Sequence, residues 1–445
     1  MTTLDPRPPA PSLLLPEAAL PEDSLGLFDY DVAIVGLGYV GLPTALAYHA
    51  AGTRVLALDV SAARLRTIRS QNADLLPNDR ERLRAALRDP GFALTGDVSR
   101  LSSAAAVVVC VPTPVDAHLV PDLHLIAGAC RTVVEHAVPG QLLMLTSTTY
   151  VGCTKDLLVD PLIERGFVPG ENIHVAFSAE RIDPGNDAVA HDDVPRVVGG
   201  ATDACEERAE ELLLQYAASV HRVHGLGAAE MTKLLENTFR AVNIALANEF
   251  ADICRALDIP VTDVIDAAAT KPYGFMRFLP GPGVGGHCIP CDPHYLLWQL
   301  KARRVPAPMI TQAMEEIAHR PRRVVDRARD ILSDLGRGLG GTRVLVVGVT
   351  YKPDVADLRE SPALEILDSL ADAGATVGFV DPFVDAVRLP SGRMLHAERS
   401  AEAYGAGLVI LHTPHRDLDL SWLGDDQLVL DATYRATGVS RLAVL

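Results

Sequence analysis

In the run GPGVGGHCIPCDPHYLLW, Gly281 to Trp298, a cysteine follows a cluster of glycines and stands four residues ahead of a carboxylate. Cys288 has the chemistry of a nucleophile, and Asp292 beside it can move protons or position a water. The glycines permit backbone shapes that other residues resist and let a ligand come close to the main chain. Cys291 makes the run a C-x-x-C. With no second such pair and no suitably spaced histidines, it is not a structural zinc site, and no thioredoxin-like unit surrounds it for dithiol redox work. No metal is expected. Cys291 reads as packing, and His287 either lowers the thiol pKa or turns its ring elsewhere.

A second chemistry-bearing string lies near the N-terminus. GLGYVG supplies Gly36, Gly38, Tyr39, Val40 and Gly41 in the G-x-G-x-x-G spacing, after an apolar strand and ahead of a helix. The first glycine allows a tight turn, the second admits a pyrophosphate to the backbone, and the third permits close helix–strand packing. Asp59 ends the next strand, where it would bind both ribose hydroxyls and repel a 2′-phosphate, so NAD is expected rather than NADP. Arg64 either reaches the same ribose or adenine or is an ordinary helix-surface charge.

Other candidates fall at strand ends or on one helix. VPTP, with Pro112 and Thr113, and STT, with Thr148, close two strands of the same sheet, on the edge where open α/β sheets bind ligands. Glu180 in AERIDPG follows the strand NIHVAFS and reads either as a base or water-orienting group or as an exposed salt-bridging residue. Lys233 and Asn237, four apart on a helix, share a face and can stabilise a developing oxyanion, or else form a solvated polar stripe. Lys352 and Arg359 in YKPDVADLRESPA, and Arg435 in DATYR, are cations that would serve a second nucleotide site or an interdomain ion-pair network. The turn VVGVTY lacks the G-x-G-x-x-G spacing, so that half need not hold a second NAD.

These strings require elements to carry them. Strand and helix patterns alternate from Tyr30 onward, which predicts a parallel sheet with helices on its faces. The stretch from about Glu206 to Ile259 reads as helical throughout. It includes EMTKLLENTFRAVNIALANEFADICRAL, which has no Gly or Pro and is long enough to connect domains or form an oligomer. A second sheet is expected from GTRVLVVGVTY, TVGFVDP, GLVILHTP and QLVLDATY. The fold class is therefore α/β, with two Rossmann-like doubly wound domains joined by a central helical region with a long helix. The expected divisions are a flexible tail over 1–28, a dinucleotide domain over 29–213, a helical region with the cysteine loop over 214–320, and a second Rossmann-like domain over 321–445.

With 445 residues, 48% of them apolar and 22% charged, the chain can build large cores. A net charge of −17 argues against nucleic acid or an anionic membrane surface as partner. No apolar run is long enough to span a bilayer, the N-terminus lacks a secretory signal, and seven cysteines without regular spacing suit reduced thiols. The expected compartment is the cytoplasm.

Taken together, GLGYVGL, VPTP, AERIDPGN, the Lys-x-x-x-Asn helix, GPGVGGHCIP-x-DP and KPDVADLRESPA resemble, in order, the motifs of the UDP-glucose/GDP-mannose dehydrogenase family. The match runs from about Asp31 to Arg435. TKPYGFMRFLPGPGVGGHCIPCDPHYLLW is most similar to the UDP-N-acetylglucosamine 6-dehydrogenase branch. The resemblance implies oxidation of a sugar C6 alcohol to a carboxylate with two NAD⁺, and a homodimer or higher homo-oligomer. It makes Cys288 the nucleophile of a thiohemiacetal and thioester, with Lys233 and Asn237 stabilising the oxyanion. Asp292 manages water and protons with Lys233, and Glu180 and Thr148 assist. It places Glu180, Arg181, Lys233, Asn237, Gly281, Gly283, Gly285, Lys352 and Arg435 on the UDP-sugar, and Arg359 near NAD. Ala179 replaces the proline of the usual S-P-E-R, Val151 and Cys153 depart from the loop after S-T, and His294 replaces a common aromatic. The first three departures bear on Glu180 and Thr148, and the last on the pocket rim. Two alternatives stand beside this reading: UDP-glucose as the substrate, and a nucleotide-sugar-binding regulator without catalysis.

Overall fold

The computed structural model describes residues 28–75, 77–181, 193–416 and 418–445. The tail expected over 1–28, except its last residue, and the part of AERIDPG beyond Arg181 lie outside the described residues.

Runs of Val, Leu, Ala and Ile that are buried along nearly their whole length form the first sheet, as expected when helices cover both faces of parallel strands. Its strands are β1 (Tyr30–Val35), β2 (Val55–Leu58), β3 (Phe92–Thr95), β4 (Ala104–Val109), β5 (Leu142–Leu145), β6 (His174–Phe177), β7 (Arg196–Gly200) and β8 (Val220–Arg222), in the order β3-β2-β1-β4-β5-β6-β7-β8. All neighbours are parallel except β6 and β7. The register aligns Val35 with Leu58 and Val109, Val109 with Leu145, and Leu145 with Phe177. The residues that follow these five strands therefore emerge in one row. The chain reverses its direction of travel across the sheet between β1 and β4, which opens a crevice at that edge.

Two features differ from the sequence expectation. The stretch from Glu206 is interrupted, because a helix ends at Leu213 and β8 extends the first sheet beyond residue 213. Three residues on an edge strand take their hydrogen bonds from β7, so local periodicity carries little trace of them. Gly225, at φ +77°, then turns the chain into the long helix Leu226–Ala256. Pro321, where the second Rossmann-like unit is expected to begin, lies inside a continuous helix, Pro308–Asp334. A proline costs such a helix one hydrogen bond and some straightness, and here the residue is buried, with its ring beside Gly283.

The long helix, the cysteine helix Cys288–Arg303 and the helix Pro308–Asp334 pack on one another. Ala241, Ala245 and Ala313 let the axes approach, and Ile289, Met314 and Ile317 fill the remaining space. The second sheet holds β9 (Arg343–Val347), β10 (Thr376–Val380), β13 (Leu408–Leu411), β14 (Val429–Asp431) and β15 (Leu442–Val444), ordered β10-β9-β13-β14-β15, and a small hairpin of β11 (Ala386–Arg388) and β12 (Met394–His396) lies beside it. The architecture is two largely parallel nucleotide-type sheets around a helical middle. Among the described residues no helix is long and apolar enough to cross a membrane.

Candidate active site at the sheet edge and the cysteine helix

The glycine turn after β1 has the shape a dinucleotide needs. Gly36 turns at φ +90°, where a Cβ would lie 2.7 Å from the Cys110 carbonyl oxygen. Gly41 presses against the same turn: its Cβ would meet the Gly36 oxygen at 1.8 Å. Gly38 between them has open space on the Cβ side. The Asp59 carboxylate braces the turn, accepting from Leu37 N–H at 2.9 Å and Ser61 N–H at 2.8 Å. Arg64 donates from Nε to the Leu37 carbonyl at 2.6 Å, so it buttresses the turn itself. Turn, open glycine and acidic strand end fit NAD, and these residues would hold its pyrophosphate and adenine ribose. Gly41→Ala is expected to destabilise the fold by about 1–3 kcal/mol through overpacking and to weaken NAD binding, as read by thermal denaturation and an NAD titration.

The corresponding turn of the second sheet is closed. Gly348 turns at φ +79°, and Asp381 accepts from Val349 N–H at 2.7 Å, as Asp59 does from Leu37. However, His415 Nε2 stands 3.2 Å from that carboxylate and the Phe383 ring packs on His415. The Asp381 side chain has no exposed surface left for a ribose.

Cys288 is the first residue of its helix, and Asp292 lies one turn further on the same face. Cys288 is an exposed residue, whereas Asp292 is 1% exposed. Asn237 on the long helix donates from Nδ2 to Asp292 Oδ2 at 2.5 Å, which joins the two helices through the site. Burial raises the Asp292 carboxyl to about 7, and Lys233 and Asn237 oppose the rise. Burial and the Asp292 charge push the Cys288 thiol above its ordinary value, while Lys233, Arg359 and Arg240 pull it down. His287 has its pKa lowered by burial and by the Arg359 charge, and its Nε2 is buried without a partner. Both causes disfavour the imidazolium, which speaks against His287 as the cation that would activate the thiol. Among the described residues no group of three His, Cys, Asp or Glu could hold a metal ion.

The glycine run before Cys288 makes its close approaches to protein. A Cβ on Gly283 would meet Pro362 at 2.7 Å, and one on Gly285 would meet Tyr351 at 2.5 Å and the Glu360 oxygen at 2.7 Å. Gly286 N–H donates to the Arg359 carbonyl at 2.9 Å. The run is thereby seated on the loop that holds Lys352 and Arg359, at the C-terminal end of β9. The Arg359 guanidinium is clamped by Asp357 at 2.6 Å and lies 4.4 Å above the ring of Tyr39 in the glycine turn. Cysteine loop, NAD turn and second sheet thus meet at one residue. Arg435 follows β14 and is exposed, with its backbone N–H held by Asp431 at 2.8 Å.

Thr113 is buried and Pro112 exposed at the end of β4, and Thr148 is half-buried after β5. Ser147 Oγ cross-links these two strand ends, donating to the Val111 carbonyl at 2.8 Å and accepting from its N–H at 3.0 Å. Three residues not singled out from the sequence bolt the loops to the helices. Tyr295 donates to the Pro114 carbonyl at 3.3 Å. Gln299 exchanges two hydrogen bonds with the Val151 backbone, at 3.1 and 2.6 Å. Glu230, 1% exposed, accepts from Gly152 N–H, Thr154 N–H and Thr154 Oγ1 at 2.6–2.9 Å. Their polar side chains inside otherwise apolar helical faces were the available signal. Glu180 is engaged elsewhere: the buried guanidinium of Arg196 pairs with it, Arg181 N–H donates to it at 2.7 Å, and Thr44 Oγ1 lies 3.5 Å away. Arg181 pairs with Glu236, the residue before Asn237.

A dinucleotide turn, a second nucleotide-type sheet and a cysteine helix between them define an NAD-binding oxidoreductase. The chain belongs to the UDP-glucose/GDP-mannose dehydrogenase family. The NAD binding domain of that family matches residues 30–217, its central domain 227–317, and its UDP binding domain 345–434. The protein is thus a nucleotide-sugar dehydrogenase. The chain is 30% identical over 422 residues to UDP-N-acetyl-D-glucosamine 6-dehydrogenase of Salmonella typhi, covering 91% of this chain and 96% of that protein. It is 33% identical over 352 residues to UDP-N-acetyl-D-mannosamine dehydrogenase of Escherichia coli K12, covering 76% and 82%. The solved structure of the UDP-D-ManNAc dehydrogenase from Pyrococcus horikoshii aligns with a TM-score of 0.84 at 28% identity, over 93% of this chain and 98% of that one.

Proposed function

We propose that this protein oxidises the C6 alcohol of a UDP-sugar, with UDP-N-acetylglucosamine favoured, to the carboxylate in two steps at Cys288. The observation that carries this reading is the cluster itself. The thiol of an exposed cysteine stands one helical turn from a buried carboxylate, which is hydrogen-bonded to Asn237 and lies in the field of Lys233. When bound, NAD supplies the hydride acceptor for each oxidation. Lys233 and Asn237 donate to the C6 oxygen whenever it carries charge. Cys288 sulfur bonds to the aldehyde carbon and gives a thiohemiacetal. Loss of its C6 hydrogen as hydride leaves a thioester, and water releases the acid and returns the thiol. Asp292, poised near neutral pH, receives and returns the protons of these steps. Glu180, held by Arg196, acts with Thr148 in orientation. Lys352, Arg435 and the glycine run hold the UDP-sugar, and Arg359 and Tyr39 close over NAD.

The names of relatives also support a second reading, UDP-N-acetylmannosamine, which differs only at C2. Purified protein offered a panel of UDP-sugars is expected to yield two NADH per sugar and an acid identified by mass, with the preferred sugar set by the highest kcat/KM. A yield of one NADH would mean that oxidation stops at the aldehyde. None with any nucleotide sugar would favour the binding reading.

The long helix presents Leu235, Phe239, Leu246, Phe250 and Ile253, with Leu257 at its C-cap, each 44–63% exposed, at helical spacing along one side. We infer self-association across this stripe, since a monomer gains nothing from exposing it. Phe250→Asp is expected to reduce the particle mass to that of one chain in size-exclusion chromatography with light scattering.

A further inference from the structure

The helix Pro308–Asp334 carries a buried arginine that no step of the proposed chemistry uses. Arg320 is 2% exposed. Its Nε donates to the Gly281 carbonyl at 2.9 Å, one Nη donates to Asp252 Oδ1 on the long helix at 2.9 Å, and the other donates to the Tyr434 hydroxyl at 3.3 Å. Each partner belongs to a different part of the molecule. Gly281 opens the glycine run that leads to Cys288, and its N–H is held in turn by Asn248 Oδ1 at 2.9 Å. Tyr434 immediately precedes Arg435. It sits at φ +60°, a conformation that a bulky residue keeps only where its surroundings hold it. Its hydroxyl donates onward to the carbonyl of Leu445.

Asp252 is partly exposed and also faces Arg255 and Arg323, so its pairing with Arg320 is a poor device for stability alone. What a planar fork of donors does provide is fixed geometry among its acceptors, which a lysine cannot reproduce. We infer that Arg320 is a positioning residue. It sets the glycine run and the Arg435 loop at one separation, so that both ends of a single UDP-sugar are gripped together. The inference rests on the UDP-sugar reading above.

The test compares wild type with Arg320→Met, Arg320→Lys and Tyr434→Phe by initial-rate kinetics in both substrates. Arg320→Met and Arg320→Lys are expected to raise the KM for the UDP-sugar on the order of tenfold to a hundredfold. Tyr434→Phe should raise it by a smaller factor, and all three should leave the KM for NAD unchanged and kcat within a few-fold. A purely structural role would lower the melting temperature without this split. If Arg320→Met does not fold, Tyr434→Phe, which removes one oxygen atom, carries the test. An unmoved KM in the folded variants overturns the inference while the UDP-sugar reading stands. Wild-type protein that reduces no NAD with any nucleotide sugar overturns both.

Discussion

Replacing Cys288 by serine is expected to lower acid formation roughly a thousandfold or more and to cut the NADH yield from two toward one per sugar. The first oxidation needs only a bound alcohol, a base and a hydride acceptor. The second needs a tetrahedral carbon that still carries a hydrogen, and the thiohemiacetal supplies it. A serine hydroxyl is far less nucleophilic than a thiol, and Asp292 is too weak a base to ionise it. The location strengthens the expectation. The thiol heads a helix whose amide dipoles favour a thiolate, and Lys233, Arg359 and Arg240 act in the same sense against the upward push of burial and Asp292. NADH counted by absorbance against sugar consumed, with the product's mass, decides the matter. A serine variant that makes acid at the wild-type rate would remove Cys288 from the chemistry.

A rise of kcat through about pH 7, abolished in Asp292→Asn, is the second large effect expected. Burial raises the Asp292 carboxyl to about 7 against the attraction of Lys233 and Asn237. Below that pH the group is protonated and cannot accept a proton, so turnover falls on the acid side. The stability consequence has a definite sign. A carboxyl raised from 3.8 in the unfolded chain to about 7 in the fold contributes stability that is fully present below pH 3.8 and is lost as pH rises through 7. The total is on the order of 4 kcal/mol. Asp292→Asn keeps the shape and removes the titration. It should therefore lose activity at every pH while its melting temperature varies less than that of wild type between pH 4 and 8. An unchanged pH profile in the variant would assign the limb to another group.

Much of the fold could be read from local patterns. The strand ending in G-x-G-x-x-G, the acidic end of the following strand and the alternation behind them are properties of short windows, and they led to a nucleotide sheet and to NAD. The breaks came where context outweighs pattern. β8 is three residues long and is held by its neighbour β7, so nothing in VHR announces it. Pro321 looks like a boundary by composition, but packing carries the helix through it. The glycines of the run before Cys288 point by their type to close approach. Only the structure tells that Gly283 and Gly285 approach Pro362, Tyr351 and Glu360.

The site divides in the same way. Cys288 with Asp292, and Lys233 with Asn237, share helix faces because four residues make about one turn of any α-helix, so each pair was determined before the chain folded. Joining the two pairs through Asn237 and Asp292 required two helices to cross at one height. Engaging Glu180 with Arg196, and setting Arg359 on the ring of Tyr39, required strands and domains distant in the chain to dock. Periodicity and spacing describe one element at a time. The contact between two elements depends on the volumes and crossing angle of everything packed between them, and only the tertiary structure decides that.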